Sequence, residues 1–346
     1  MHILVTGCTG FVGSHTVAAL INAGHTVRVL VRSPHKLSGA LEPIGVSVDK
    51  LEVVEGSLTD RSVIDSAVKG CSATVHAAAH VSLEKRDEAA MWMVNVEATR
   101  ALCAAAIRHQ PGPFLTMSSL SAYVPFAGTV LKDDAPPGAG VGPYSRSKAA
   151  ALRDVVRFQA SGAPVVSVAP GGIWGPHDPG MGDLATALQM LFRFGGELVP
   201  KGNTSFIDVR DLASCLVKLV EAGPGSHRYV LAGHEETIAE FVARAARISG
   251  RKLWSRTIPG PLTTGLGRAY DWARARFDGV PQMPMSAESF ELLAATPVVD
   301  DAGVRAATGV IPRPMDDTMK DTIAWLLDAG IIESKHVNTD VLGLTR

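Results

Sequence analysis

His2-Ile3-Leu4-Val5-Thr6-Gly7-Cys8-Thr9-Gly10-Phe11-Val12-Gly13 opens the chain and decides how the rest of it is read. A short apolar run ends in glycines at every third position, and a segment with helical apolar spacing, Val12–Ala23, follows. Each glycine has a physical reason. Gly7 permits a tight turn, Gly10 lets the backbone come close to a pyrophosphate, and Gly13 lets the helix lie close on the strand. The helix N-terminus then offers free N–H groups and the positive end of its dipole to phosphate. Glycine triplets also occur in plain turns. Here the strand before and the helix after supply the context that a dinucleotide site requires.

Outward from this loop, β-branched runs alternate with helical spacing. The strand candidates are His2–Thr6, Thr26–Val31, Leu51–Val54, Thr74–His76, Phe114–Ser118 and Val165–Ala169. Between them lie helical candidates Arg61–Val68, Ala89–Arg108 and Tyr144–Ser161. Apolar strands joined by helices predict a parallel sheet covered on both faces, so the fold class is α/β, a doubly wound Rossmann-type sheet. After Pro170, glycine and proline punctuate the chain. A helix Leu184–Phe194, a strand Ser205–Val209 returning to the sheet and a helix Arg210–Ala222 follow, and the pattern from Thr237 is mainly helical. These features divide the chain into a dinucleotide-binding domain (1–175 and 204–232), a smaller, mostly helical substrate-binding lobe (176–203 and 233–335) and a tail (336–346).

Composition bounds the function. Apolar residues are 46% and charged residues 19% of 346, enough for a large core and too apolar for disorder. A net charge of −1 gives no basic field for nucleic acid or anionic lipid. Cys8, Cys71, Cys103 and Cys215 are far apart and read as buried thiols in a reducing compartment. With no leader pattern and no apolar run long enough to span a bilayer, the expectation is a cytoplasmic protein. His76 and His80 have helical metal-ligand spacing but run from a strand end into a loop, with no third ligand nearby, so no metal is expected.

The chemistry-bearing segment is Tyr144-Ser145-Arg146-Ser147-Lys148. Spacing of four puts Tyr144 and Lys148 on one helix face, where an ammonium can lower the phenol's pKa. Ser119 stands just past the fifth strand, at the carboxyl edge where such sheets bind ligands, and can hydrogen-bond a substrate oxygen. The second strand ends Leu30-Val31-Arg32-Ser33 without the carboxylate that would hold a ribose. Arg32 can instead grip a 2′-phosphate, so NADP is expected over NAD; Arg32 as an ordinary solvated charge is the competing reading.

Taken together, these motifs resemble the extended short-chain dehydrogenase/reductase family, the NAD-dependent epimerase/dehydratase group. The matching stretches are Thr6-Gly7-x-x-Gly10-x-x-Gly13, His76-Ala77-Ala78-Ala79, Asn95-Val96, Ser118-Ser119, Tyr144-x-x-x-Lys148, Pro170-Gly171-Gly172-Ile173-Trp174-Gly175-Pro176 and Phe206-Ile207-Asp208-Val209-Arg210-Asp211. In character the chain is similar to dihydroflavonol-reductase and hydroxysteroid-dehydrogenase members. The resemblance implies Tyr144 as general acid/base, Lys148 on the nicotinamide ribose, Ser119 on the substrate oxygen and Asn95 beside the lysine as a fourth catalytic-site residue. It implies cofactor contacts from Thr6, Gly7, Thr9, Gly10, Phe11, Val12, Gly13, Arg32, Ser57, Leu58, Ala77, Ala78, Ala79, Pro170, Gly172 and Ile173. Substrate contacts fall to His80, Ser121 and Trp174. It also implies a homodimer through Ala89–Arg108 and Tyr144–Ser161.

Three departures bear on this. Gly56-Ser57-Leu58 stands where the family has Gly-Asp-Leu, the acid at the end of the second strand is absent, and Ala169 replaces a common arginine. In the substrate lobe, Arg193, Lys201, Arg210 and Arg268 form no evident phosphate clamp, and Leu262–Phe277 reads either as a pocket lining or as an ordinary amphipathic helix. The expected function is therefore hydride transfer to or from a carbonyl or alcohol carbon of a small or moderately apolar substrate. Two alternatives stand beside it: a sugar-nucleotide epimerase or dehydratase with tightly held NAD, and a non-catalytic NADPH-binding protein on the same fold.

Overall fold

The computed structural model describes residues 1–277, 279–280, 286–294 and 297–338. The expected tail lies outside them from residue 339 onward, as does the 281–285 part of the expected loop 279–285.

Seven strands form one parallel sheet in the spatial order Leu51–Glu55, Thr26–Val31, His2–Thr6, Ala73–His76, Phe114–Met117, Val165–Pro170, His227–Leu231. The order reverses beside His2–Thr6, and the crevice at such a reversal is where open α/β sheets bind ligands. Alternation along the strands feeds two cores. Ile3, Val5 and Val29 pack into one cluster, while Leu4 and Leu30 pack into the other. Both faces are thus covered, which is why the strands read as continuous apolar runs. Cys8, Cys71, Cys103 and Cys215 are buried free thiols, as expected.

Two sequence expectations change. Asn203–Asp208 does not join the large sheet. It pairs in parallel with Gly172–Trp174 and antiparallel with His234–Thr237 in a separate three-stranded sheet. The seventh strand is His227–Leu231, whose first residues are polar because the strand lies at the sheet edge. The expected helix Ala89–Arg108 is three pieces: α-helical Glu88–Trp92, a π-helical stretch Met93–Ala98, and α-helical Thr99–His109. A π-bulge of this kind often marks a functional site, and this one carries Asn95.

The second lobe has its own apolar cluster, in which Trp174, Phe206, Phe241 and Met319 meet. Among the described residues no helix is long and apolar enough to cross a membrane.

Candidate active site

At the carboxyl edge of the sheet, Gly7 adopts φ +78°, and a Cβ there would lie 2.5 Å from Ala78 N. A Cβ on Gly13 would lie 2.1 Å from Gly7 O, so the helix rides directly on the loop. Gly10 is the N-cap of Phe11–Asn22, with no side-chain cap and no acid in the first turn. The helix N-terminus is free of its own side-chain cap, as an anion site requires, and a side chain at Gly7 or Gly13 would collide with the backbone that packs loop, helix and strand together. These residues fit a dinucleotide pyrophosphate. Behind the loop, His76 bridges Thr6 Oγ1 at 2.6 Å and Thr99 Oγ1 at 2.8 Å. Burial pushes His76 down to about 3, with Lys148 acting in the same sense, so this bridge is neutral.

The helix Pro143–Ala160 starts with Gly142 at the N-cap and Pro143 in its first turn, which suits a helix start because proline lacks an N–H the helix cannot use there. Its first turns carry Tyr144 and Lys148. Burial pushes the Tyr144 phenol up to about 12, with the nearby Ser119 hydroxyl acting in the opposite sense. Asp183 and Glu288 add to the rise by their charge. The Lys148 ammonium lies 5.9 Å from the Tyr144 ring centroid and donates to Met117 O at 3.1 Å. Burial lowers it to about 8. The sequence argument had the ammonium lowering the phenol's pKa. In the folded chain one lysine N–H goes to the Met117 carbonyl, and desolvation is the largest influence on the phenol.

Residues 3–232 match the model of the NAD dependent epimerase/dehydratase family. The chain belongs to this family. It is accordingly an NAD(P)-dependent enzyme of the extended short-chain dehydrogenase/reductase type. It is similar to sterol demethylase protein B of Methylococcus capsulatus, 28% identical over 336 residues covering 96% of this chain and 100% of the relative. It is also similar to UDP-glucose 4-epimerase of Bacillus subtilis, 27% identical over 298 residues covering 76% of this chain and 88% of the relative. In fold it resembles the crystal structure of gox2253, with a TM-score of 0.78 at 23% identity, covering 96% and 99% of the two chains.

Within this family member, Asn95 is 3% exposed and its amide is committed. It accepts from His80 N at 2.8 Å and donates to His80 O at 2.9 Å and Ser147 Oγ at 3.0 Å. Asn95 thereby pins the segment after the fourth strand to the Tyr144 helix. His80 takes part through its backbone. Ser121 donates to Ser119 Oγ at 3.0 Å and so holds that serine in place.

Ala77, Ala78 and Ala79 follow Thr6 and Gly7 across the loop, with Ala77 N donating to Thr6 O. Thr9, Phe11 and Val12 are half-buried around the same turn. Pro170 ends the sixth strand, and Gly172 and Ile173 begin the small sheet. Ser57 makes a local turn with Thr59 at 2.8 Å, with Leu58 half-buried beside it. Arg32 is exposed at the end of its strand. Trp174 is 3% exposed and packs edge-on against Phe241 at 5.0 Å, which makes it a core residue of the second lobe. Arg210 is bound to Asp208 at 2.7 Å and Asp321 at 2.6 Å.

Sequence reasoning missed Glu288. Its carboxylate accepts from Ser145 N at 2.8 Å, Ser145 Oγ at 2.6 Å and Tyr144 N at 3.3 Å. It caps the N-terminus of the Tyr144 helix from the second lobe, 5% exposed. A Cβ on Gly142 would sit 2.2 Å from that carboxyl, so the glycine makes room for it. No local signal marks Glu288, because its partner lies 143 positions away.

Proposed function

We propose that this enzyme is an NADP-preferring oxidoreductase that moves a hydride to a carbonyl carbon, or from the matching alcohol carbon, of a small or moderately apolar substrate. Tyr144 is its general acid/base. The observation that carries this reading is the placing of Tyr144 beside Lys148, its ammonium 5.9 Å from the ring centroid, at the sheet edge that holds Ser119, with a phenol that burial holds at about 12. At neutral pH such a phenol is protonated and donates. It serves a carbonyl oxygen that gains negative charge, with Ser119 Oγ as second donor to that oxygen. The reduced cofactor, NADPH, would supply the hydride when bound and leave oxidised. The carbonyl carbon gains the hydride and its oxygen gains the phenol proton, which leaves an alcohol and a phenolate. Lys148, still mostly protonated at neutral pH, stabilises that phenolate across the 5.9 Å to the ring and holds a ribose hydroxyl.

Arg32 supports the preference for NADP. It stands exposed where a ribose-binding acid is missing, with exposed His35 and Lys36 close by in sequence. The engagement of Arg210 by two carboxylates leaves it unsuited to clamp a sugar nucleotide's diphosphate, and the similarity to a sterol-pathway protein favours an apolar substrate. The similarity to a UDP-glucose epimerase keeps the second reading in play: retained NAD and no net redox would favour it.

The test is Tyr144→Phe assayed on a panel of aldehydes and ketones. Turnover falls by about 10²–10⁴-fold, the usual contribution of a positioned acid, while quenching of NADPH fluorescence on binding persists. Unchanged turnover would overturn the assignment.

A further inference from the structure

We propose that the helix Gly260–Arg276 is an interfacial anchor that lays its outer face on an anionic lipid surface. The helix is inverted relative to its own protein. Leu262, Leu266 and Trp272 are 61%, 45% and 63% exposed. At about 100° per residue Leu262 and Leu266 lie about 40° apart and Trp272 about 80° to the other side of Leu262, so the three span about 120° of the outer surface. Phe277, just past the helix end and 5.6 Å from Trp272 between ring centroids, is 53% exposed and extends that face. Toward the protein the helix turns Thr263, which is fully buried, and Gly267, where a Cβ would meet Ala287 at 2.6 Å. Large apolar groups in water and small or polar groups inside reverse what burial selects, and an exposed apolar stripe of this kind marks an interaction surface.

Charge names the partner. From Arg251 to Asp278 the sequence holds six basic residues against two acidic ones, a local net charge of +4 in a chain whose total is −1. The weak overall charge conceals this patch. Arg268, with its side chain 75% exposed and 4.0 Å from Glu291, borders the stripe, and the exposed Arg276 stands within it near the helix end. Leucine and tryptophan flanked by arginine suit the headgroup–acyl boundary, where the apolar groups insert and the guanidiniums meet lipid phosphate.

The anchor also touches the candidate site from outside. Asp271 accepts from Ala287 N at 3.0 Å, next to Glu288, and Arg274 pairs with Glu84 in the segment after His80. A helix docked this way sets the approach to Tyr144 at the lipid surface, where an apolar substrate partitions. The inference goes beyond the redox reading and is measured without turnover.

The experiment is co-sedimentation of the full chain with vesicles of equal parts phosphatidylcholine and phosphatidylglycerol, compared with phosphatidylcholine alone. The expected result is binding to the anionic vesicles that weakens as salt rises. Leu262→Ser/Leu266→Ser/Trp272→Ser should lose about tenfold or more in partitioning while NADPH quenching and thermal melting stay unchanged. Arg268→Glu/Arg276→Glu, which leaves the apolar stripe intact, should lose most of the preference for anionic vesicles. A wild-type chain that stays in the supernatant overturns the proposal. So does undiminished binding by both variants, or a self-association that the triple serine variant abolishes, since the stripe would then be a contact between protein copies.

Discussion

Replacing Glu288 tests how the second lobe prepares the acid. In Glu288→Ala, Ser145 Oγ keeps its bonds from Val141 N and Gly142 N at 2.9 and 3.0 Å, so the hydroxyl stays satisfied. The N–H groups of Ser145 and Tyr144 lose their acceptor. Loss of a helix cap costs about 0.5–2 kcal/mol, and a buried N–H left without a partner costs about 1–3 kcal/mol. The two overlap, so the expected loss is about 1–3 kcal/mol. It is partly offset because burial pushes the carboxyl's own pKa upward, which marks a desolvation cost that the variant removes. Glu288→Gln retains one acceptor oxygen and should lose about 1 kcal/mol.

The kinetic consequences separate positioning from mere stability. Fraying of the first turn displaces Tyr144, and a misplacement near 1 Å costs about 10²-fold. Glu288→Ala should therefore lower kcat by about 10–10²-fold, with NADPH affinity preserved because the phosphate loop is untouched. Removing the charge relieves one cause of the raised phenol pKa, so the alkaline limb of the Glu288→Gln profile should move to lower pH. The assay is kcat and KM across pH for wild type, Gln and Ala, alongside thermal melts. An Ala variant with wild-type kcat and an unmoved pH profile would refute the reasoning, and an Ala variant rescued by Gln in melting temperature alone would reduce Glu288 to a structural cap.

Other outcomes follow from the same structure. Arg32→Ala should cut the preference for NADPH over NADH by about 10–10²-fold, the worth of a charge-assisted contact; an unchanged ratio of kcat/KM values means the 2′-phosphate is read elsewhere. Gly13→Ala should abolish cofactor quenching, since its Cβ would meet Gly7 O at 2.1 Å, and retention of NADPH binding would mean the loop has another way to relax. For His76, the folded value is about 3 against 6.5 for the free side chain. Between those pH values the unfolded chain binds the extra proton, so the stability due to the neutral imidazole is complete above 6.5. It falls by about 1.4 kcal/mol per pH unit, to a total of about 4–5 kcal/mol near pH 3. Chemical denaturation of His76→Asn and wild type from pH 7 to 4 should give curves whose difference narrows as pH drops; a constant gap would deny His76 this role.

The first thirteen residues pointed to a parallel sheet and a candidate phosphate loop, because turn chemistry and strand periodicity are local properties. Tyr144, Lys148 and Ser119 were legible for the same reason, as a helical spacing and a strand end. What the chain order does not encode is pairing across long separations. Asn203–Asp208 has the pattern of any buried strand, and only three-dimensional partners assign it to the small sheet with Gly172–Trp174 and leave the seventh place to His227–Leu231. Nothing local in the sequence names the partners of Asn95, whose amide the fold commits to His80 and Ser147. Trp174 sits in a motif next to positions expected to face the cofactor, yet hydrophobic packing places it in the cluster with Phe206 and Phe241.

The electrostatics were decided at the tertiary level too. A neighbouring ammonium argues for a low phenol pKa, but burial is set by the whole fold, and it lifted Tyr144 to about 12 and dropped Lys148 to about 8. Local sequence determined which groups stand at the sheet edge. Tertiary structure decided their protonation, through desolvation and through a carboxylate, Glu288, brought from the other lobe to the first turn of the Tyr144 helix.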